Sequence, residues 1–435
     1  MVLQVIEKGR KRGKDMNPIK SRLFLDRFLN YVKYDTQSSE SSESYPSTLK
    51  QLELCKRIVQ DLWELGLHEI EMTDHGYVFA TLLSNVAHNV PTIGFIAHVD
   101  TSPEVSGAKV QPVIHRKYKG GNIILKMDKN QVIEFDSNPA LKDCLDHDII
   151  TSDGTTLLGA DDKAGVAEII GAMQYLVENP SIKHGKIRVG FTVDEEVGEG
   201  TRYFDIKKFA AEYAYTVDGE TTGEIEIETF CADTAVVSIK GVNVHPGYAK
   251  ERMVNGIKIA TEFIEKLPKD GMSPETTEGR EGYLHPHAIK GSVENAEIIF
   301  LVRDFEEDGL KEKENFLEML CKKLKTKYPQ ADIQLTVKES YRNMKQVLDR
   351  YPLVVEYALE AVRRTGIQPK KASIRGGTDG ARLSFAGLPT PNIFTGGHNF
   401  HSKKEWISVQ NMQRAVETIV NLCSIWAEKS LYRQT

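Results

Sequence analysis

The chain is short of several things. Of its 435 residues five are cysteine. Cys55, Cys144, Cys231, Cys321 and Cys423 are odd in number and far apart, which excludes a disulfide framework or a cysteine zinc knuckle and points to a reducing compartment. No apolar run is long enough to span a bilayer. The stretch Met1 to Asp15, with Lys8, Arg10, Lys11, Arg12 and Lys14, lacks the apolar core of a signal peptide, so a disordered basic leader is expected rather than an address label, in a cytoplasmic protein. Long blocks of one charge are missing too: a net charge of -6 without them argues against nucleic acid or a membrane surface as the main partner. Neither GxxxxGK[ST] nor GxGxxG occurs, so a nucleotide site is not expected. What is left is a globular balance of 40% hydrophobic and 27% charged residues, in a chain too long for one hydrophobic core. Two domains and a small substrate follow.

What is present is a succession of amphipathic helices and buried strands. Residues 19–34 and 49–65 are helical in pattern, as is a stripe of Val166, Ile169, Ile170, Met173 and Val177. The closing helix, residues 409–429, turns Met412, Val416, Ile419, Val420, Cys423 and Trp426 inward. Strands are expected at 77–83, 92–97, 187–193, 213–217 and 391–395, several almost wholly apolar, as in a sheet covered on both faces. From about residue 224 to 342 the order changes to strand-like runs (223–230, 234–240, 289–305, 331–338) around two helices, 254–267 and 310–328. That is the pattern of an α+β unit inserted into the first domain.

The expected chemistry sits where strands end. Residues 92–97 run into His98-Val99-Asp100. Residues two apart share a face, and the carboxyl end of a strand is where an open α/β sheet binds ligands. Asp100 is placed to hold the His98 ring and fix its tautomer. The strand before Asp194-Glu195-Glu196 delivers adjacent acids followed by Gly198 and Gly200. Acids crowded in a poorly hydrated place repel one another unless a cation sits nearby. A third strand ends on Asp218, and a helix opens with Asp161-Asp162, where an N-cap accounts for one aspartate but not two. A lone histidine is more often a packed core residue, and an isolated acidic run a solvated turn. Strand ends and a helix start that all deliver His, Asp or Glu suggest one shared site instead. Such donors, with no cysteine among them, suit a hydrolytic zinc, or less selectively Co²⁺ or Mn²⁺.

Five strings carry a resemblance: residues 94–103 (GFIAHVDTSP), 156–165 (TLLGADDKAG), 194–198 (DEEVG), 215–219 (YTVDG) and 375–381 (RGGTDGA). From about residue 19 to 426 the chain resembles the tripeptide aminopeptidases of the di-zinc aminopeptidase/carboxypeptidase/deacylase superfamily. The resemblance implies an α/β catalytic domain, residues 16–228 and 341–435, with a mixed central sheet sandwiched by helices. Residues 229–340 would form an inserted α+β lid that also joins a homodimer. It implies two Zn²⁺ per chain, one held by His98, Asp161 and Asp218, the other by Glu196, His401 and the shared Asp161, with Asp162 at an unusual peptide bond. Glu195 would be the general base toward a metal-activated water, and Asp100 would orient His98. His245 would help stabilise the oxyanion, from its own or the partner subunit, and Arg303 and Arg375 would take the carboxylate of a small peptide substrate. The chain departs from the pattern at Val193, at Gly397 to Ser402, where His398 is an extra imidazole read as packing, and in its leader. A dipeptidase, carboxypeptidase or N-deacylase on the same scaffold is the alternative.

Overall fold

The structure, a computed structural model, describes residues 19–431; the expected leader lies outside them. Two compact units are present. The first comprises the described residues up to Ile227, Val347–Ala372 and those from Thr378 on; the second is Glu228–Gln346 with Ser373–Gly377. The second unit thus runs past residue 340 and takes in the short segment that carries Arg375. Among the described residues no helix is long and apolar enough to cross a membrane.

An eight-stranded sheet, all of it in the first unit except the last two residues of each of its final two strands, runs in the spatial order His68–Met72, Val78–Leu82, Ile187–Thr192, Ile93–His98, Tyr213–Gly219, Asn392–Phe394, Glu224–Thr229 and Lys370–Ile374. Ile93–His98 pairs in parallel with both Ile187–Thr192 and Tyr213–Gly219, while Val78–Leu82 pairs antiparallel, so the sheet is mixed. Every residue of Ile93–His98 and Ile187–Thr192 is buried, which is why these strands read as nearly unbroken apolar runs. The Ala160–Glu178 helix packs on Ile93–His98 and against the Val409–Leu431 helix. Parallel register decides where the chemistry emerges. His98 lies opposite Thr192, and Ile96 opposite Thr216, so His98, the acids after Thr192, and Asp218 leave the sheet side by side.

Some expectations need correction. The run at 223–230 is a strand of this large sheet, paired antiparallel with Asn392–Phe394, and not part of the inserted sheet. Val177 is 42% exposed; Leu176, one position earlier, takes the buried place, as a 3.6-residue period drifts off a strict four-residue spacing. The edge strands His68–Met72 and Lys370–Ile374 are rich in charge and only partly covered, so they carry little apolar signal. A second, four-stranded sheet joins the middle of the chain to its C-terminal region: Ile149–Thr151 pairs with Trp406–Ser408 and Val113–His115, and the sheet ends on Gly397–His398.

The second unit is a four-stranded antiparallel sheet in the order Tyr283–Gly291, Asn295–Asp304, Cys231–Lys240 and Asp332–Tyr341. The Gly256–Glu265 and Glu307–Lys327 helices pack on it over a core that includes Val237, Ile239, Phe263, Phe300 and Leu317. The single run expected at 289–305 is a hairpin. Its connection, residues 292–294, reads Ser-Val-Glu and lacks the Asn-Gly or Asp-Gly that signals such a turn.

Candidate metal centre

His98 ends its strand 3% exposed. Its Nδ1 lies 3.1 Å from the Asp100 carbonyl oxygen and 3.3 Å from Asp100 Oδ1; its Nε2 lies 3.0 Å from Asp161 Oδ1 and 3.5 Å from Asp218 Oδ1. The fully buried Asp100 does more than face the ring. Its carboxylate also accepts the backbone N–H groups of Glu195 at 3.0 Å and Glu196 at 3.2 Å. One side chain therefore fixes the histidine and the turn that carries the next two acids.

That turn is tight. Asp194 has φ +60° and Gly198 φ +72°, the latter a conformation that glycine adopts at little cost. The Gly198 N–H reaches the Glu195 carbonyl at 2.7 Å, and the Glu199 N–H the Asp194 carbonyl at 2.9 Å. Asp194 itself faces elsewhere, accepting hydrogen bonds from the Ser47 backbone and hydroxyl and from Gln51 Nε2. It is a structural anchor that frees its two neighbours to face the cluster.

The two aspartates at the helix start divide their work in the same way. The Asp161–Asp162 peptide bond is cis. Asp162, fully buried, accepts the His98 backbone N–H at 3.1 Å and the Gly165 N–H at 3.2 Å. Asp161 turns to the cluster, and its backbone is pinned from the C-terminal region. Glu405 accepts the N–H groups of Leu158 and Gly159, each at 2.7 Å, and of Asp161 at 3.0 Å. Gly165 lets the helix approach the neighbouring strand, since a Cβ there would lie 1.9 Å from the Val217 carbonyl oxygen.

His401 comes from a loop, with φ +58° and a side chain 40% exposed. Its Nε2 lies 2.7 Å from Glu196 Oε2 and 3.3 Å from Asp161 Oδ2; its Nδ1 lies 2.8 Å from Glu104 Oε2. Two groups of converging donor atoms result, His98, Asp161 and Asp218, and Asp161, Glu196 and His401, each with its atoms within 4.8 Å of one another. Asp161 belongs to both and offers one oxygen to each, the geometry of a bridging carboxylate. Glu195 Oε2 is 4.0 Å from His98 Nε2.

The electrostatics say what charge such a cluster calls for. Burial, with the Asp161 charge beside it, pushes Glu196 up to about 8, and burial raises Asp218 to about 6 against the pull of His98. Glu195 is raised well above the carboxylate range, chiefly by burial, with His98 opposing and Asp218 adding. Burial would raise Asp161 as well, yet hydrogen bonds from His401 and His98 hold it low. His401 goes the other way: burial lowers it, but Asp161 and Glu196 carry it up to about 12. Glu196 Oε1 is buried with no hydrogen-bond partner. Carboxylates this crowded call for positive charge, and oxygen and imidazole donors without a thiolate suit Zn²⁺, Co²⁺ or Mn²⁺. The residues fit a pair of divalent cations.

The remaining expected site residues all belong to the second unit. His245 is exposed and accepts the Gly247 N–H on Nδ1 at 3.1 Å. Arg303 donates to the Asp233 carbonyl at 3.0 Å and lies over the Tyr341 ring. Arg375 donates to the Gly279 and Glu281 carbonyls at 2.9 and 2.8 Å and lies over Phe230 and Tyr283. His398 is buried, its ring 4.5 Å from that of Trp406, and packs. Sequence reasoning missed Glu405, Glu104, Ser47 and Gln51, whose partners are far away in the chain. It also missed Asp379, which accepts the Thr192 hydroxyl at 2.8 Å and fits only because Gly200 has no side chain, a Cβ there falling 2.3 Å from its carboxylate. Gly200 and the glycines before Asp379 were the available signal.

Residues 153–424 match peptidase family M20/M25/M40. The chain belongs to that family and is a peptidase by class. Peptidase T of Clostridium botulinum is 48% identical over 405 residues, 93% of this chain and 99% of that protein. Peptidase T of Clostridium acetobutylicum is likewise 48% identical over 405 residues, with the same coverage. Among solved structures, the aminopeptidase PepT of Bacillus cereus matches with a TM-score of 0.71 at 24% identity, covering 94% of this chain and 100% of that one. A dinuclear metal-binding peptidase of the M20 family from Bacillus subtilis matches at 0.62 and 16%, covering 94% and 98%. At those identities the structures establish the fold.

Proposed function

We propose that this peptidase is an aminopeptidase that releases the N-terminal residue of tripeptides with the help of two zinc ions, acting in the cytoplasm as a homodimer joined through the second unit. The 48% identity to peptidase T along nearly the whole chain supports the substrate class. The observation that carries the chemistry is Asp161, with one oxygen toward His98 and the other toward His401, and Glu195 beside them.

Zinc held by His98, Asp161 and Asp218, and by Asp161, Glu196 and His401, would polarise the scissile carbonyl and lower the pKa of the attacking water; Co²⁺ or Mn²⁺ would suit the same donors. Glu195, with Oε2 4.0 Å from His98 Nε2, would take a proton from that water and hand it to the leaving amine. Asp100 keeps the His98 ring in place and the Glu195–Glu196 turn in register. His245, Arg303 and Arg375 are assigned to the substrate on the motif match alone, the histidine to the oxyanion and the arginines to the peptide's carboxylate.

A panel of di-, tri- and tetrapeptides together with an N-acylated amino acid, assayed with zinc and with a chelator, tests the proposal. Free tripeptides should be cut best, losing their first residue, and the chelator should abolish turnover. Preference for the N-acylated compound would make the chain a deacylase instead.

A further inference from the structure

We infer that Glu104 is a positioning residue for His401 and sets how tightly the second divalent ion is held; this rests on the proposed function, which places an ion at that histidine. The ring's two nitrogens face different neighbours. Nε2 points at Glu196 and Asp161, 2.7 and 3.3 Å away, and Nδ1 points at Glu104 Oε2, 2.8 Å away. A nitrogen that takes a cation must be unprotonated, so the ring proton resides on Nδ1 and is donated to Glu104. A carboxylate in that position selects the tautomer, orients the ring and makes the free nitrogen a better donor.

Glu104 is 63% exposed, which for an isolated side chain would leave it free to turn away. Its surroundings oppose that. The Ser102 hydroxyl donates to Glu104 Oε2 at 2.8 Å and accepts the Glu104 backbone N–H at 3.3 Å. Gln37 Nε2 lies 3.2, 3.1 and 3.1 Å from the carbonyls of Ser102, Pro103 and Val105, fastening the loop on both sides of Glu104. The loop leaves the same strand end that supplies His98 and Asp100, so each histidine of the cluster faces a carboxylate from one continuous segment.

The test is equilibrium competition for Zn²⁺ between a colorimetric chelator and the full-length wild type, Glu104→Ala and Glu104→Gln, resolving each equivalent. The wild type should hold two equivalents. Glu104→Ala should weaken one of them by about 10–100-fold and leave the other unchanged, with Glu104→Gln recovering part of the loss because its amide oxygen still accepts the Nδ1 proton. The melting temperature of the metal-free protein should not move, which separates this role from a structural one. Unchanged affinity for both equivalents in Glu104→Ala, or equal weakening of both, would overturn the inference and leave the proposed function standing. A wild type without measurable zinc affinity would overturn both.

Discussion

The two halves of the cluster are built from different material. His98 hangs from a strand that is buried along its whole length, its ring 3% exposed and its partner Asp100 at 0%. His401 sits in a loop at positive φ, 40% exposed, with a partner, Glu104, at 63%. Hydrogen bonds to charged groups are stronger where water is excluded. The first half is therefore preformed by the sheet, and the second sets a buried Glu196 against two side chains, His401 and Glu104, that compete with solvent. Asp161 couples them, and Glu405 holds its backbone from the segment that also carries His401. A rigid half beside an adjustable one suits a site that must grip its ions and still admit a substrate.

The largest expected effect concerns neither half. Glu195→Ala should lower kcat by about 10²–10⁴-fold while leaving metal content close to unchanged, and retention of most activity would remove Glu195 from its role. Next, Asp100→Ala should destabilise the metal-free protein by about 1–3 kcal/mol, because it strips the buried carboxylate acceptor from the partly buried N–H groups of Glu195 and Glu196. Chemical denaturation would read this, and if Glu104→Ala cost as much the contrast between the halves would fail. Gly165→Ala should cost a similar or smaller amount, about 1–3 kcal/mol, as its Cβ would meet the Val217 carbonyl at 1.9 Å and Asp162 Oδ1 at 2.4 Å. Displacing Asp162 should weaken the His98 half first, which zinc competition on the variant would show.

The smallest effect is on pH. Protons compete with cations for the same carboxylate oxygens, and the carboxylate with the higher pKa is lost to protons at the higher pH. Burial raises the proton affinity of Glu196 and Asp218, and, against burial, the neighbouring acids raise both histidines, so protons contest the donors of both halves and exposure to solvent decides between them. As pH falls the half with His401, 40% exposed against 3% for His98, should give up its ion first. Zinc retained after dialysis at stepped pH measures this, and release of both equivalents together would contradict it.

The rigid half was also the more legible one. His98, Asp100 and Asp218 could be read from apolar strands that stop at a ligand-type residue, because parallel register carries strand ends to one place whatever lies between them, and Asp161 from a helix start with one aspartate more than an N-cap needs. The loop half offered only His401 and the acidic turn, and the residues that hold it left no local trace. Ser47 and Gln51 anchor Asp194 across 147 and 143 positions, and Glu405 reaches Asp161 across 244. Nothing about a serine or a glutamate in isolation announces such a partner. The same reason explains the missed edge strands and the hairpin at 283–304: their pairing is decided by tertiary neighbours more than by their own alternation.

Anomalous diffraction at the zinc absorption edge, from crystals grown with Zn²⁺, tests the central claim most directly. The account predicts two peaks about 3.5–4 Å apart on either side of the Asp161 carboxylate, one against His98 and the other against His401. A single peak, or ions bound away from Asp161, would contradict it.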